Sequence, residues 1–186
     1  GLAMLRRAVR NARLVAGVAS IVLVAFGNFA AYLYIRLAID EVDPASTAWL
    51  LVAWGVGGMV GNIAAGALVR WLRPTAAAAP VLIAAGLLST AVATSLPLLA
   101  VGVVVWGIGF NMVPVATQVW VTRVEPERAE SAMGLQVTAF QVAITLGASA
   151  GGAIVDARGV GAALLIGASF AALAALGFGL LRVPSA

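Results

Sequence analysis

The sequence predicts an all-α integral membrane protein whose six transmembrane helices form a 3+3 inverted repeat. Hydrophobic residues make up 63% of the chain and charged residues only 10%, with a mean hydropathy of +1.09. Soluble domains carry about 25% charged residues, so this composition belongs to a protein that lies in lipid. The division into spans and a repeated motif support the rest of the prediction.

Charged residues, Pro and Gly divide the chain into six apolar segments of about the length that crosses a bilayer. The segments are residues 14–35, 47–69, 77–96, 98–121, 131–155 and 160–181. In lipid each segment must satisfy its own backbone hydrogen bonds, which requires helices. We therefore expect a basic segment over residues 1–13, a six-helix domain over 14–182 and a short tail over 183–186.

The arginines predict the orientation. All 11 basic residues are arginine, and an N-terminus inside the cell places nine of them on the cytoplasmic side. These nine are Arg6, Arg7, Arg10, Arg13, Arg70, Arg73, Arg123, Arg128 and Arg182, against Arg36 and Arg158 outside. This bias predicts a multi-pass protein of the inner (plasma) membrane with both termini cytoplasmic, and no nucleic-acid partner. Loop charges such as Glu125 and Arg128 are expected to be solvated.

A short motif recurs in the second and fifth segments. Gly61–Arg70 (GNIAAGALVR) aligns with Gly147–Asp156 (GASAGGAIVD) at an offset of 86 residues, with five identities. Because the second and fifth spans are three positions apart in the series, the two copies cross the membrane in opposite directions, as inverted three-helix units do. Chance similarity between two helices rich in Gly and Ala is the alternative.

The residue inventory argues against an enzyme. Cysteine and histidine are absent, and no Asp, Glu, Lys or Arg lies in the middle of a span. The chain therefore lacks the usual nucleophiles, bases and metal ligands, and we expect no cofactor and no metal site. Inverted three-helix units are typical of transporters; if transport is coupled to protons, the titrating carboxylate lies elsewhere.

Neutral polar residues inside the spans predict a substrate cavity. Asn111 and Gln141 lie near the midpoints of their spans, and Thr138, Gln141, Thr145 and Ser149 share one helix face. The cavity candidates are Asn28, Tyr32, Asn111, Gln118, Thr138, Gln141 and Thr145. Hydrogen bonding between helices, worth about 0.6 kcal/mol on average, is the alternative for any one of them.

Small residues form helix faces of the GxxxG type in the second and fifth spans. The interface candidates are Gly57, Gly58, Gly61, Gly66, Gly147 and Gly151. Their recurrence on symmetry-related spans predicts contact with something outside these six helices.

Three stretches resemble a known family: FGNFAAYLYI in the first span, GNIAAGALVR in the second, and the run from Gln118 to Gly159. The chain resembles the C-terminal half of a major facilitator superfamily transporter, of the drug and sugar efflux antiporter (arabinose-efflux permease) type. The resemblance implies that the second and fifth spans face a missing N-terminal half, and that the first, second, fourth and fifth line the cavity. Val69 replaces the Asp often found before the loop Arg, and Ala148 replaces the Pro of the antiporter motif.

We therefore expect half of a secondary active transporter that exports a small organic molecule, drug- or sugar-like, by alternating access. Its partners would be the lipid bilayer, the substrate and a second six-helix half. That half would be the N-terminal half of the same chain, a separate subunit or a homodimer mate. A non-transporting scaffold or assembly subunit is the alternative.

Overall fold

The computed structural model describes residues 11–181, and all regular structure in that range is helical. The helices are α1 (Ala12–Tyr32), α2 (Ile35–Asp40), α3 (Thr47–Leu68), α4 (Leu72–Ala91), α5 (Leu96–Val124), α6 (Ala129–Arg158) and α7 (Val160–Leu180). Single 3₁₀ turns precede α3, α4 and α6. The predicted tail and most of the predicted basic segment lie outside the described residues.

Within the described range, five helical stretches are long and apolar enough to cross a membrane. One of them, Pro44–Ala91, has 48 residues and contains both α3 and α4. A straight helix of that length would measure about 72 Å, more than twice the roughly 30 Å of bilayer hydrocarbon. The 3₁₀ turn at Val69–Trp71 interrupts it.

The predicted bounds of the third span are wrong. The segment predicted at 77–96 is the helix Leu72–Ala91. It begins five residues earlier than predicted, because hydrogen bonds of Thr75 stabilise its first turn. The Thr75 hydroxyl donates to the carbonyls of Leu68 (2.8 Å) and Trp71 (2.9 Å). Thr75 and Ala79 are buried, so the weakly apolar start of this segment belongs to the helix and faces the interior of the protein.

The long helices pack in a series of extensive contacts in the order α3, α5, α4, α7, α1 and α6. α5 contacts α3 and α4 most extensively, and α1 contacts α6 and α7. The core between them contains the fully buried side chains of Ile83, Leu87, Trp106 and Leu164. α4 also packs extensively against α7, and this contact joins the helices around α5 to those around α1.

Close contacts at glycines give the relative directions of the helices. Trp54 lies against Gly107 and Gly58 against Asn111, so α3 and α5 run parallel. Along α4 and α5 the order is reversed, with Gly86 against Trp106 and Ile83 against Gly109.

The contacts of α1 repeat this arrangement. Gly147 lies against Phe26 and Gly151 against Ala30, so α1 and α6 are parallel. Gly27 lies against Gly167, and Gly177 contacts Ser20, which makes α1 and α7 antiparallel. α1 and α5 therefore each pack against one parallel and one antiparallel helix.

α3 and α6 are the least buried of the long helices, since one side of each has no neighbour among the described residues. Buried positions follow a single face of each helix: Leu50, Gly57, Gly58, Gly61 and Ala65 on α3, and Ala132, Gln136, Ala143, Gly147 and Gly151 on α6. The other faces expose apolar side chains such as Met59 and Ile63 on α3 and Val142 on α6.

A single residue joins α6 to α7. Gly159 has a φ of 81°, in the left-handed region that favours glycine. The chain therefore reverses direction between Arg158 and Val160 with no further loop residue.

Candidate functional site

Six aromatic rings from four helices meet in what we term the aromatic cluster. Its members are Phe29, Tyr32, Trp54, Trp106, Phe110 and Phe140. Tyr32 stacks on Phe110 with centroids 5.9 Å apart and an interplanar angle of 17°. Trp54 lies 4.9 Å from Tyr32 and 5.6 Å from Phe110. The rings join α1, α3, α5 and α6, the four helices for which the resemblance implies a cavity.

Sequence reasoning identified only Tyr32 from this cluster. Phe29 and Tyr32 are three residues apart, and Trp106 and Phe110 are four apart, so each pair shares a helix face. That spacing could have indicated that the two rings of each pair lie on one face of a helix. It could not have shown that the faces of four helices meet, because the contacts are between segments far apart in the sequence.

Asn28 lies inside the protein and does not line an open cavity. Its side chain is 1% exposed, and its Oδ1 accepts a hydrogen bond of 2.8 Å from the indole N–H of Trp106. Asn28 Nδ2 has no hydrogen-bond partner within residues 11–181. For Asn28 the alternative of an interhelical hydrogen bond applies, and the prediction of an open cavity position is wrong.

Asn111 lies at the edge of a cavity between α3 and α5. Its Nδ2 donates to the carbonyl of Gly107 at 3.3 Å, and its amide packs directly over Gly58. The cavity has a volume of about 440 Å³ and is lined by Trp54, Gly55, Gly58, Met59, Asn62, Ile63 and Asn111. Gln118, two turns further along α5, is exposed.

The polar stripe of α6 lies on the exposed side of that helix. The hydroxyls of Thr138 and Thr145 donate to the carbonyls of Gly134 (2.8 Å) and Gln141 (3.1 Å) in their own helix. The Gln141 side chain is exposed and makes no hydrogen bond to another residue in the described range. The structure thus places the α6 stripe on an open face and does not join it to Asn28.

The glycine faces of α3 and α6 pack against other helices of this chain. This contradicts the prediction that they contact something outside the six helices. A methyl group added to Gly57 would lie 2.8 Å from the Val104 carbonyl oxygen, and one on Gly61 would overlap that of Ile108. Gly58 is covered by Asn111. These residues let the backbones of α3 and α5 approach closely.

The same holds on α6. A methyl group on Gly147 would lie 2.5 Å from the Phe26 carbonyl oxygen, and one on Gly151 would overlap the carbonyl of Ala30. Gly66 differs, since it is exposed and open space surrounds it. Of the six predicted interface glycines, Gly66 alone faces away from the described residues.

Gln136 and Thr117 form a buried polar contact that was not predicted from the sequence. Gln136 on α6 is 4% exposed, and its Nε2 donates to the hydroxyl of Thr117 on α5 at 3.0 Å. Gln136 Oε1 has no partner in the described part of the chain. This pair links α5 to α6 towards the predicted cytoplasmic side.

Glu125, expected to be a solvated loop charge, is buried to 5% exposure. It accepts hydrogen bonds of 2.7 Å from Asn11 Nδ2 and from Arg128 Nε. The Asn11 hydrogen bond lowers the pKa of the Glu125 carboxyl; burial opposes this, and Arg128 lowers the pKa further. Glu125 thus ties the start of α1 to the turn before α6, because Asn11 also caps α1 by accepting from two backbone N–H groups.

Similarity to known proteins agrees with this architecture. Residues 14–186 match the Major Facilitator Superfamily. The chain is 31% identical over 177 residues to the purine ribonucleoside efflux pump NepI of Escherichia coli K12, and equally to its counterpart in Shigella flexneri. Each alignment covers 91% of this chain and 44% of the relative, so the chain spans less than half the length of these relatives. The chain belongs to the Major Facilitator Superfamily, whose members are transporters and not enzymes.

Proposed function

We propose that this chain forms one six-helix half of an efflux transporter that works by alternating access together with a second half. The observation that carries the proposal is the matched packing of α3 on α5 and of α6 on α1. Each pair is parallel, is seated on glycines and leaves the far face of α3 or α6 open.

The directions of α3 and α4 support six spans. α3 runs parallel to α5 and α4 runs antiparallel to it, so the chain reverses at the 3₁₀ turn Val69–Trp71. We infer that the 48-residue stretch Pro44–Ala91 crosses the membrane twice.

The inverted repeat gains support from burial. At the 86-residue offset of the sequence repeat, buried positions of α3 coincide with buried positions of α6. The pairs are Leu50 with Gln136, Gly57 with Ala143, Gly61 with Gly147, and Ala65 with Gly151. Chance similarity between two Gly-rich helices would not align their buried faces, which favours two inverted three-helix units.

A second half is proposed because the open faces do not suit lipid alone. Gln141 presents an unpaired amide on the exposed side of α6, and leaving such a group in hydrocarbon costs several kcal/mol, roughly 2–7. A polar cavity closed by another helical unit removes that cost. The length of the relatives leaves room for such a unit in the same chain, and a separate subunit or a homodimer mate would serve equally.

The substrate we propose is a small uncharged organic molecule of the nucleoside kind. The relatives are named for the export of purine ribonucleosides. The open faces and the cavity offer aromatic rings and amides, and no charged residue lies in the middle of a span. A neutral, partly aromatic solute suits these groups better than an ion.

We further propose that both termini are cytoplasmic in the inner membrane. Because the chain contains no cysteine, single cysteines report sidedness without background. Ala45→Cys in the α2–α3 connection should react with an impermeant maleimide from outside, and Glu127→Cys only after permeabilisation. The reverse pattern would invert the topology.

Reconstitution in proteoliposomes tests the transport proposal. The chain joined to a second half should move purine ribonucleosides down an imposed gradient, whereas the chain alone should move them only as a dimer detected by cross-linking. Efficient transport by a strict monomer would overturn the half-transporter proposal. Failure of every assembled form to transport any solute would favour the scaffold alternative.

A further inference from the structure

We propose that the cavity between α3 and α5 is the subsite that binds the planar base of the transported nucleoside, with Asn62 and Asn111 reading its polar edge. This inference rests on the proposed function and names the part of the chain that recognises the base. Asn62 and Trp54 were not among the residues predicted from the sequence.

The cavity has the size and walls of a small-molecule site. Its volume is about 440 Å³, within the range of about 300–1,000 Å³ typical of ligand pockets. Trp54 lines the cavity, and its ring packs against the rings of Tyr32 and Phe110 at centroid distances of 4.9 and 5.6 Å. A wall built from packed rings presents a fixed apolar surface, against which a flat aromatic solute gains stacking energy.

Two glycines of α3 line the cavity, and they shape it in different ways. Gly55 lines it and has nothing within 4 Å of the position where a side chain would begin. At Gly58 the corresponding space is taken by the amide of Asn111. The absence of a side chain at Gly55 therefore leaves room for a ring. The absence of one at Gly58 lets the Asn111 amide pack directly on the backbone of α3.

The polar groups of the cavity match the edge of a purine. Asn111 uses Nδ2 to donate to Gly107 and keeps its carbonyl oxygen and a second N–H for another partner. Asn62 is one helical turn from Gly58, is exposed, and makes no hydrogen bond to another residue within residues 11–181. A side-chain amide pairs with an adjacent donor and acceptor, the pattern on the N6/N7 edge of adenine and on the N1/O6 edge of the hypoxanthine base of inosine. Ribose has no such planar edge and would not be selected here.

Equilibrium binding to the purified chain in lipid nanodiscs tests the subsite directly, with radiolabelled adenosine as probe and unlabelled inosine, cytidine and ribose as competitors. We expect adenosine to bind, inosine to compete and ribose to fail. Gly55→Leu fills the cavity from a position with open space, and Asn111→Leu removes one amide. Each should weaken adenosine binding by ~10-fold or more.

Gly161→Leu is the matched control, because Gly161 on α7 also has open space around it and lies outside the cavity. It should bind adenosine as the wild type does. Asn62→Leu provides a second amide variant on an exposed position if Asn111→Leu lowers the unfolding temperature.

Three results would overturn the subsite: no adenosine binding by the wild type, wild-type binding by Gly55→Leu, or competition by ribose equal to that by inosine. Transport by the assembled protein separates this proposal from the previous one. Adenosine export that persists in Gly55→Leu removes the subsite and leaves the transporter. If no assembled form transports adenosine but the wild type still binds it and Gly55→Leu does not, the transporter proposal is rejected and the subsite proposal stands.

Discussion

Replacing Gly147 by alanine should destabilise the protein, because the added methyl group meets backbone and not a movable side chain. The methyl carbon would lie 2.5 Å from the Phe26 carbonyl oxygen, whereas ordinary contacts begin at 3.4 Å. α1 and α6 would therefore have to separate by about 0.9 Å at this point. A gap of 0.5–1 Å already forfeits about a quarter to a half of the dispersion energy of the atoms facing it.

The magnitude follows from two opposed effects. Overpacking of this kind costs about 1–3 kcal/mol. Alanine also favours the helix over glycine by about 1 kcal/mol, which offsets part of the cost. We expect Gly147→Ala to be destabilised by roughly 0–2 kcal/mol in total.

Gly134→Ala is the matched control for Gly147→Ala, because both substitutions raise helix propensity by the same amount. Gly134 lies on the same helix, and nothing approaches within 4 Å of the added methyl group. The two variants should therefore differ by about 1–3 kcal/mol in their free energies of unfolding. SDS titration followed by tryptophan fluorescence in mixed micelles measures this difference. Equal stability of the two variants would refute the close approach of α1 and α6.

Three other predictions follow from single contacts. Trp106→Phe leaves the buried Asn28 amide without its donor and should cost about 1–3 kcal/mol of unfolding free energy by the same titration; no loss would mean that the pair is not buried. Glu125 has a lowered pKa in the folded protein, so its stabilising effect is full above the ordinary pKa that it has in the unfolded chain and disappears as pH falls through the folded pKa. As pH is lowered from 7 to 3, the unfolding temperature should therefore fall less steeply for Glu125→Gln than for the wild type, with Glu127→Gln as control for the loss of one carboxylate. Gln141→Leu should abolish transport by the assembled protein while changing stability by no more than about 0.5 kcal/mol, because this exposed amide has no partner in the described chain; unfolding instead would assign it to helix packing.

The helices were largely predictable because hydropathy directly reports the energetics of a bilayer. The first, second, fourth, fifth and sixth predicted segments begin and end within a few residues of α1, α3, α5, α6 and α7. The third failed because its start depends on the Thr75 hydroxyl and on burial against α5, neither of which hydropathy measures.

The site was harder to predict because a polar residue inside a span has two uses that look alike in sequence. Asn28 and Asn111 are both amides deep in a helix, yet one accepts from Trp106 in the interior and the other edges a cavity. Glycine spacing likewise predicts a close helix contact but not which helix makes it, and the partner of Gly61 proved to be α5 of the same chain. Such assignments depend on contacts between segments far apart in sequence.

The one-residue reversal at Gly159 limits how α6 and α7 can move relative to each other. Consecutive α-carbons are 3.8 Å apart, so those of Arg158 and Val160 can never be more than about 7 Å from each other. The ends of α6 and α7 that meet at Gly159 must therefore move together in every conformation of the protein. A pair of spin labels across this turn would provide a fixed reference distance, against which changes measured elsewhere in the protein can be calibrated.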